Sequence, residues 1–558
     1  MLRKHTWLAI AIIGITHTTF SWAQSSTSVQ TLAQTLNELP SACTQSTADR
    51  LSDQSIKRLQ AFYQATGDTL LWQDAAQRQT LAQMLRDTRY DGLEPNNYQL
   101  QRSTALVQQG SPIAQQCHDV LISHGYLQAL QHLRDGVLDA DSTEPYWYEE
   151  GIKKPVRSSI IELAASGLQD LPQAFAQARP QLQQYQALRE VLKSSYILSQ
   201  ADWGTVASAG KSLRVGDRDA RVPSLQQRLE RAGYLIAPEQ SEQSEQQLDV
   251  AVVEGDVVLA QPETIDPLLY SQQLADGVKA FQQDHYLEDD GIVGPATVRE
   301  LNISPEQRLQ QVRVNLERLR WLDKQLDPTM LVVDIAGARL LFFRDGNIVW
   351  RTRTQVGTVR RQTPLLKSRI THLTINPTWT VPPTILREDK IPAIRRDIGY
   401  LARSNMSVLD YQGNVLDPYS INWQSPPGLM LRQGPGPSNA LGLVAIRFAN
   451  PFSVYLHDTP SQHLFGRASR TVSSGCVRVE DAQKLVDQLL VGATEQELAR
   501  IVQIQDSGKT RNVNLPQPVP VLLAYWTVEV DMDNRLRFRN DSYGHDQKIA
   551  AALQAAQR

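Results

Sequence analysis

The chain has 558 residues, more than one domain usually contains, so several folded units are expected. Hydrophobic residues make up 41% and charged residues 21%, which allows packed cores and argues against global disorder. The 56 Lys+Arg nearly balance the 59 Asp+Glu, and this near-neutral charge gives no basis for a nucleic-acid partner. No apolar run of about eighteen residues is present, which excludes several membrane spans. Three cysteines exclude a disulfide-rich scaffold and a Cys₄ zinc site.

The first residues have the composition of an export signal. Arg3 and Lys4 precede an apolar run over 7–15, and Ser21 and Ala23 supply small residues at the two cleavage positions. This pattern predicts a secretory signal peptide over 1–23. The alternative is an uncleaved anchor that associates the protein with the inner membrane. In both cases we expect the chain to work in a bacterial periplasm.

The odd cysteine count has a consequence in such an oxidising compartment. Cys43 and Cys117 are able to pair, which would leave Cys476 as a free thiol.

Residues 24–205 are rich in Gln, Ala and Leu, and their apolar positions recur every three or four residues. We therefore predict a helical scaffold domain without visible chemistry. His118, His124 and His132 lie at irregular spacings without an acidic partner pattern, which favours surface or helix-cap roles over a metal site.

Residues 206–305 have a different residue pattern. Val222, Leu225 and Leu229 form one helical face, and Gly233 is placed as a left-handed cap. The strings "LRVGDRDARVPSLQQRLERAGYL" and "GVKAFQQDHYLEDDGIVGPATVRELN" resemble a three-helix peptidoglycan-binding module. A polar insertion at about 238–268 interrupts it, and a linking helix is predicted over 306–328.

Beyond residue 329 the apolar period changes to two, which predicts strands. Asp345-Gly346 marks a hairpin turn, and a Pro- and Gly-rich stretch over 382–442 is too long for a plain connection, so we interpret it as an inserted lid. Asp481 is expected to cap one helix, and Thr494 with Glu497 forms a capping box for the next. Strands are predicted over 331–335, 339–343, 348–356, 370–381, 443–448, 453–457, 519–530 and 536–538.

The predicted fold class is thus multidomain α+β. A helical scaffold, a small three-helix module and a mostly β domain over 329–505 with an inserted lid follow one another. Residues 506–558 are expected to form a hairpin and a helix that pack on the β domain.

In two segments of the predicted β domain, polar side chains lie on one face and apolar side chains on the other. In the predicted strand 453–457, Tyr455 and His457 share a face, because alternate residues point the same way. In "SSGCVRV", Cys476 and Arg478 likewise share one face, and Gly475 precedes the thiol.

These residues are the parts of an acyl-transfer site. A thiol with an ordinary pKa near 8.5 is only about 3% thiolate at neutral pH. An imidazole that takes its proton makes a Cys–His nucleophile pair. A guanidinium is able to hold a substrate carboxylate, and backbone N–H groups near Gly475 and Cys476 are natural donors for an oxyanion.

The motif "YLHDTP", then fifteen residues between His457 and Ser473, then "SSGCVRV", resembles the signature of L,D-transpeptidases with a YkuD-type catalytic domain. The segments "RQGPGPSNALG" and "PVPVLLAYWTVEVD", and the order of domains, resemble the large YcbB-type members. Ser474 stands where the family often has His.

The resemblance implies that Cys476 is the nucleophile on the meso-diaminopimelate–D-Ala bond of a tetrapeptide stem, and His457 the general base. Gly475 would orient His457 and shape the oxyanion site through its backbone, while Arg478 and Tyr455 would position the donor stem. D-Ala leaves, and an acceptor amine resolves the thioester as a 3→3 cross-link. The resemblance also implies that no metal or other cofactor is needed and that carbapenems acylate the enzyme.

Other residues have two interpretations each. Ser474 and Trp423 are candidates for substrate binding, and for Trp423 packing inside the lid is an equal alternative. Asn439 is a candidate at the lid base, with a simple turn role as the alternative. His463 is expected to be a loop residue, and a backbone carbonyl is favoured over the Asp458 carboxylate for orienting His457.

Three alternative functions remain open at this stage. An L,D-carboxypeptidase would use the same acyl-enzyme but resolve it with water. A non-catalytic cell-wall-binding protein would have broken motif residues, whereas Cys476, His457 and Arg478 are all present. A papain-like protease would have its Cys before its His, which is the reverse of the order here.

Overall fold

The structure is a computed structural model that describes residues 51–99, 112–194, 202–235 and 266–556, with six single positions between 32 and 105. The predicted signal peptide and most of the predicted insertion at 238–268 lie outside the described residues. None of the helices in the described ranges is long and apolar enough to cross a membrane.

The N-terminal domain is helical, as predicted. Its core contains Tyr126 of a long helix, and the rings of Trp72 and Phe175 pack against it. Cys117 of the same helix forms a disulfide with Cys43, with Cα atoms 5.2 Å apart, which confirms that pairing. The helices are α1 (Asp53–Thr66), α2 (Ala75–Asp87), α3 (Pro112–Asp135), α4 (Ala140–Thr143), α5 (Ile161–Gly167), α6 (Leu171–Ala178) and α7 (Gln183–Ser194), with 3₁₀ turns at Thr88–Asp91 and Pro95–Tyr98.

The surface or cap roles predicted for three histidines are wrong. All three lie on α3, which the other helices surround. His118 is buried, with Nδ1 2.8 Å from the Ser103 carbonyl, and His132 Nδ1 lies 3.3 Å from the hydroxyl of Tyr98. Burial lowers the pKa of His124 to about 4 and that of His132 to about 3, so both stay neutral at physiological pH.

The module after the scaffold has the predicted helices α8 (Val222–Arg231), α9 (Gln272–Asp284) and α10 (Pro295–Leu301). Gly233 has a φ of +78° just after α8, which confirms the left-handed end of this helix.

The linking helix α11 (Pro305–Asp323) begins with a capping box of Ser304 and Gln307 and ends five residues before the predicted boundary at 328. Its Arg318 is buried between Glu144 of the scaffold, 3.0 Å away, and Asp546 near the C-terminus. This ion-pair network joins three parts of the chain.

The β-rich domain is a sheet whose long strand β14 pairs with both β2 and β5, so that the sheet closes on itself. The strand order is β1-β5-β10-β11-β13-β4-β3-β2-β14, with β12 beside β4. Asp345 and Gly346 both have positive φ in the β3–β4 turn, which confirms the predicted hairpin. The strands are β1 (Trp147–Tyr148), β2 (Met330–Asp334), β3 (Arg339–Arg344), β4 (Asn347–Gly357), β5 (Leu366–Ile375), β6 (Trp379–Thr380), β7 (Met406–Leu409), β8 (Val415–Leu416), β9 (Met430–Gln433), β10 (Val444–Phe448), β11 (Leu456–His457), β12 (Thr471–Ser473), β13 (Val477–Val479), β14 (Arg511–Ala524), β15 (Val528–Val530) and β16 (Leu536–Phe538).

Several predicted elements differ from the structure. The predicted strand 370–381 is two strands, because Asn376 has a φ of +47° and Pro377 follows it. Asp481 does not cap its helix through its side chain, since its own φ is +53°. By contrast, the capping box of Thr494 and Glu497 is confirmed.

The C-terminal region does not pack as predicted. β14 is part of the main sheet, beyond the expected boundary at 505, and the scaffold strand β1 pairs with β5 of the same sheet. The hairpin of β15 and β16 packs on α7 and α11, and the last helix packs on α11 rather than on the sheet. The helices of this half outside the lid are α12 (Ala482–Leu489), α13 (Glu495–Asp506) and α14 (His545–Ala556).

The lid predicted over 382–442 is a small subdomain with a core of its own. Its sheet, in the order β6-β9-β7-β8, takes β6 from just before the predicted start. The lid core continues onto Ala445 and Tyr455 of the main sheet, so the lid covers one patch of that sheet. The short helical pieces are Pro383–Ile385, Ile391–Arg396 and Tyr400–Arg403, a π-helix at Leu386–Lys390 and a 3₁₀ turn at Pro418–Ser420.

Candidate active site

The predicted site residues lie on neighbouring parallel strands. In the β11–β13 register, Leu456 pairs with Val477 and His457 pairs with Arg478. Leu456 and Val477 are completely buried in the main core, so the flanking residues point to the opposite face. The predicted alternation is therefore confirmed: Tyr455, His457, Cys476 and Arg478 share the face that the lid covers. The strand is shorter than predicted, since Ser453 has a φ of +56°.

The turn before the nucleophile is fixed by backbone and hydroxyl contacts. Gly475 has a φ of +114°, a conformation that favours glycine, and its N–H donates to Ser473 Oγ at 3.1 Å. Ser473 Oγ in turn donates to the Cys476 carbonyl at 2.5 Å. Thr363 Oγ1 donates to the Gly475 carbonyl at 2.8 Å. The loop that contains Thr363 thus holds Cys476 in place from behind.

Cys476 is the free cysteine of the described residues and is partly exposed. Its Sγ donates to the Ser453 carbonyl oxygen, which lies 3.7 Å away. Burial raises the pKa of the Cys476 thiol above the ordinary value, although Tyr455 and the guanidinium groups of Arg447 and Arg478 act in the opposite direction. The resting thiol is therefore protonated.

His457 is only 4% exposed. Its ring is oriented by the backbone carbonyl oxygen of Asp458, which lies 2.5 Å from Nδ1. This is the carbonyl contact that the sequence favoured over the Asp458 carboxylate, which instead accepts from Leu443 N–H at 2.9 Å. Burial, followed by the charge of Arg478, lowers the pKa of His457 to about 3. The imidazole is neutral, so its Nε2 is free to accept a proton. In the described residues no hydrogen bond joins it to Cys476.

The roles predicted for the Gly475 backbone need correction. Its carbonyl accepts from Thr363 and its N–H is used by Ser473, so Gly475 neither orients His457 nor offers a free oxyanion donor. In the described part of the chain nothing accepts from the Cys476 N–H, which stays available for that purpose.

Arg478 projects from β13 beside His457. Its Nη1 donates to Gln355 Oε1 at 3.1 Å, and Gln355 in turn donates to the Ser461 carbonyl at 3.2 Å. The Nε of Arg478 is buried and has no partner within the described ranges. A buried guanidinium with an unused donor is well suited to a substrate carboxylate.

Arg447 of β10 is a residue that the sequence reasoning missed. Its Cζ lies 3.9 Å from the ring centroid of Tyr455, and its Nε lies 3.4 Å from Thr374 Oγ1. The nearest signal in the sequence is its alternation with buried Ile446 and Phe448, but that pattern does not reveal which strand lies beside it.

Ser474 is exposed and accepts from Arg361 Nη1 at 3.0 Å. The same guanidinium pairs with Glu388 at 2.8 Å and Asp389 at 2.7 Å, both on the π-helix of the lid. Arg361 therefore ties the nucleophile loop to the lid, a link that no motif in the sequence indicates.

Three further candidates serve the lid or a loop. Trp423 is 9% exposed in the lid core, and its indole N–H donates to the Pro418 carbonyl at 2.9 Å, which matches the packing alternative. Asn439 is buried, and its amide bonds the backbone of Gly434 and Leu441, which matches the turn alternative. His463 lies exposed in the 3₁₀ turn Gln462–Gly466, as expected for a loop residue.

The comparisons with known proteins agree with this architecture. Residues 328–504 match the family described as L,D-transpeptidase catalytic domain (YkuD), residues 57–192 match a scaffold domain, and residues 260–301 match a "Putative peptidoglycan binding domain". The resemblance seen in the sequence is thus confirmed for the matched parts of the chain: it is a multidomain protein whose residues 328–504 form an L,D-transpeptidase catalytic domain.

A curated "Putative L,D-transpeptidase" from Haemophilus influenzae is 36% identical over 259 residues, which cover 46% of this chain and 51% of that protein. The chain therefore spans about half the length of this relative.

Two solved structures are also similar. An L,D-transpeptidase from Mycobacterium smegmatis is 14% identical, with 35% of this chain and 58% of that chain covered and a TM-score of 0.17. The Ldtfm–avibactam carbamoyl enzyme is 12% identical, with coverages of 38% and 62% and a TM-score of 0.19.

Proposed function

We propose that this protein is a periplasmic L,D-transpeptidase that forms 3→3 cross-links in peptidoglycan through a Cys476 thioester. The observation that carries the proposal is the shared face of Cys476 and His457 on two adjacent parallel strands beneath a lid. The match to a peptidoglycan-binding family supports peptidoglycan as the substrate.

The protonation states favour a concerted first step. Because the thiol pKa is raised and the His457 pKa is about 3, the resting pair is neutral rather than an ion pair. Cys476 Sγ attacks the carbonyl carbon at the L-centre of meso-diaminopimelate while its proton passes to His457 Nε2. Hydrogen bonds of this kind often tighten only once substrate is bound.

The tetrahedral intermediate carries its negative charge on the former carbonyl oxygen. The unused Cys476 N–H is the backbone donor that the described site offers to this oxygen. The imidazolium of His457 then gives its proton to the leaving amine, and D-Ala departs with the C–N bond broken.

Resolution of the thioester needs an acceptor amine. The neutral imidazole takes a proton from that amine as it attacks, and the returning proton restores the thiol. Arg478, with its unpaired buried Nε, is the residue we propose to hold a carboxylate of the donor stem. Arg447 stacks on the ring of Tyr455, and both residues favour the thiolate form of Cys476.

A second function, L,D-carboxypeptidase, would follow from the same acyl-enzyme if water replaced the amine. The lid core over Ala445 and Tyr455 favours the transpeptidase, because a covered thioester is shielded from water.

The experiment is product analysis with a disaccharide-tetrapeptide. We expect D-Ala release together with a 3→3-linked dimer from the wild type, and neither from Cys476→Ala. Release of D-Ala with tripeptide alone would indicate the carboxypeptidase. Equal activity of Cys476→Ala would refute both functions. Meropenem should form an adduct on Cys476 in the wild type.

A further inference from the structure

A cleft of about 500 Å³ lies away from Cys476, between the peptidoglycan-binding module and the β-rich domain. We call it the interdomain cleft. One wall is the end of α9 and the loop after it, including Gln283 and Tyr286; the second is the segment Gly466–Arg470; the third contains Asp531 and Arg537 of the C-terminal hairpin. Its volume is within the range of about 300–1,000 Å³ that is usual for ligand sites.

The charges around the interdomain cleft are balanced. Arg467, Arg470 and Arg537 face Glu288, Asp289 and Asp531. Most of these are used within the protein: Arg537 pairs with Asp531 at 2.7 Å, and Glu288 accepts from Ala468 N–H at 2.9 Å. Such a lining does not favour a ligand with a large net charge of either sign. It suits an uncharged ligand rich in hydroxyl and amide groups.

Two polar side chains are left to bind such a ligand. The guanidinium of Arg467 is exposed and pairs with nothing in the described ranges, and Gln283 is exposed, with its amide nitrogen 3.1 Å from Asp289 and its amide oxygen unused. Leu287 and Tyr286 add apolar surface to the same lining, which suits the apolar faces of a sugar ring.

The shape of the cleft is fixed by one residue with a strained backbone and by the contacts of its side chain. Tyr286 has a φ of +51°, which is costly for a large side chain. It is kept there because its hydroxyl donates to Glu529 and the Arg539 guanidinium lies 4.0 Å from its ring centroid. The module is thus fixed against the β15–β16 hairpin, and the cleft exists before any ligand binds.

The second wall also connects the cleft to the active site. The segment Gly466–Arg470 lies between His457 and Cys476 in the chain, and β12 follows it directly. The Arg470 carbonyl accepts from Val356 N–H at 3.0 Å, next to Gln355, which contacts Arg478. A ligand in the cleft therefore contacts a segment continuous with the catalytic motif.

We propose that the interdomain cleft binds the uncharged glycan backbone of peptidoglycan, a chain of N-acetylated amino sugars, and so holds the strand whose stem peptide enters the active site. This inference rests on the proposed function for the identity of the polymer. It assigns glycan recognition to residues of both domains, with Arg467 and Gln283 as the ligand-binding side chains.

The test uses the full chain and uncharged oligomers of N-acetylglucosamine, because removing the stem peptides from peptidoglycan would leave a negatively charged lactyl carboxylate on every second sugar. We expect saturable binding by calorimetry, a loss of at least tenfold in affinity in Arg467→Ala and Gln283→Ala, and no loss in Arg299→Ala. Arg299 is a matched control because it is exposed on α10 of the same module and does not line the cleft.

Activity on a soluble disaccharide-tetrapeptide separates this inference from the proposed function. We expect kcat with that small donor to change less than twofold in Arg467→Ala, whereas cross-linking of long strands should slow in proportion to the lost affinity. Failure of the wild type to bind the N-acetylglucosamine oligomers, or equal binding by all variants, would overturn the inference. Turnover of the small donor would show that the proposed function still holds.

Discussion

The guanidinium of Arg447 lies 3.9 Å from the ring centroid of Tyr455, and both residues lower the pKa of the Cys476 thiol against the larger effect of burial. Arg447 lies on β10, Tyr455 directly before β11 and Cys476 directly before β13, so a permanent positive charge and a phenol lie near the nucleophile. Arg447 is a positioning residue, because it stacks on Tyr455 and favours the thiolate through its charge.

Replacing Arg447 with Met should raise the thiol pKa further, because one of the charges that favours the thiolate is lost. We expect several-fold slower alkylation at neutral pH, because a smaller fraction of the thiol is ionised. The measurement is the pH profile of Cys476 alkylation by iodoacetamide. Arg351→Met, on the exposed part of β4, is the control and should leave the profile unchanged. An identical profile in Arg447→Met would contradict this electrostatic effect of Arg447 on the thiol.

His457 should make folding sensitive to acid. Its folded pKa of about 3 is below the ordinary value of 6.5, so the unfolded chain binds the extra proton between these values. Above pH 6.5 the neutral His457 causes no loss in the free energy of unfolding. Below pH 6.5 the free energy of unfolding falls by about 1.4 kcal/mol per pH unit, until the folded pKa is reached. Calorimetry of wild type and His457→Gln at pH 7 and pH 5 should show the variant gaining stability relative to wild type at pH 5. A constant difference would be inconsistent with a buried neutral imidazole.

Gly475→Ala should disable the nucleophile through backbone conformation alone. The nearest atom to an added Cβ is the Gln362 carbonyl oxygen at 3.6 Å, so no clash arises, but a φ of +114° costs about 1–3 kcal/mol for alanine. We expect D-Ala release to fall at least about 100-fold because the sulfur moves. Gly346→Ala has a comparable penalty at φ +78° in the distant β3–β4 turn, with nothing within 4 Å, and should keep its activity. Equal activity in the two variants would argue against a strained nucleophile turn.

Arg361→Ala should loosen the lid, because its ion pairs with Glu388 and Asp389 are the link between the lid and the nucleophile loop described above. Partly exposed ion pairs contribute about 1 kcal/mol, so the equilibrium constant for opening of the lid should increase about fivefold. We expect faster alkylation of Cys476 and a larger share of hydrolysed tripeptide among the products. Arg387→Ala removes a neighbouring surface charge that is 70% exposed and should change neither quantity. A product ratio unchanged in Arg361→Ala would show that the ion pairs do not control water access.

The sequence predicted those parts of the site that depend on local pattern. The alternation of Val454, Leu456, Val477 and Val479 with polar residues was enough to place the four motif side chains on one face, because a strand has a period of two. The lid and the capping box of α13 were predicted for similarly local reasons, whereas the Cys43–Cys117 pairing was one possibility that the odd cysteine count allowed.

The missing parts depend on contacts between distant segments. Arg447 and Thr363 reach the site from β10 and from the loop before β5, and their neighbours are decided by strand order rather than by spacing. The positive φ of Ser453 and of Asn376 interrupted strands whose composition suggested continuity. The inward position of His132 followed from the helices around α3, which the periodicity of α3 alone does not reveal.

The central claim is that Cys476 forms a thioester with the donor stem, and mass spectrometry of the intact protein tests it most directly. After brief mixing with a tetrapeptide donor, the wild type should gain the mass of the donor minus D-Ala, on the peptide that contains Cys476. His457→Gln should gain it far more slowly, and Cys476→Ala should not gain it. An adduct at another residue, or D-Ala release by Cys476→Ala, would contradict the account.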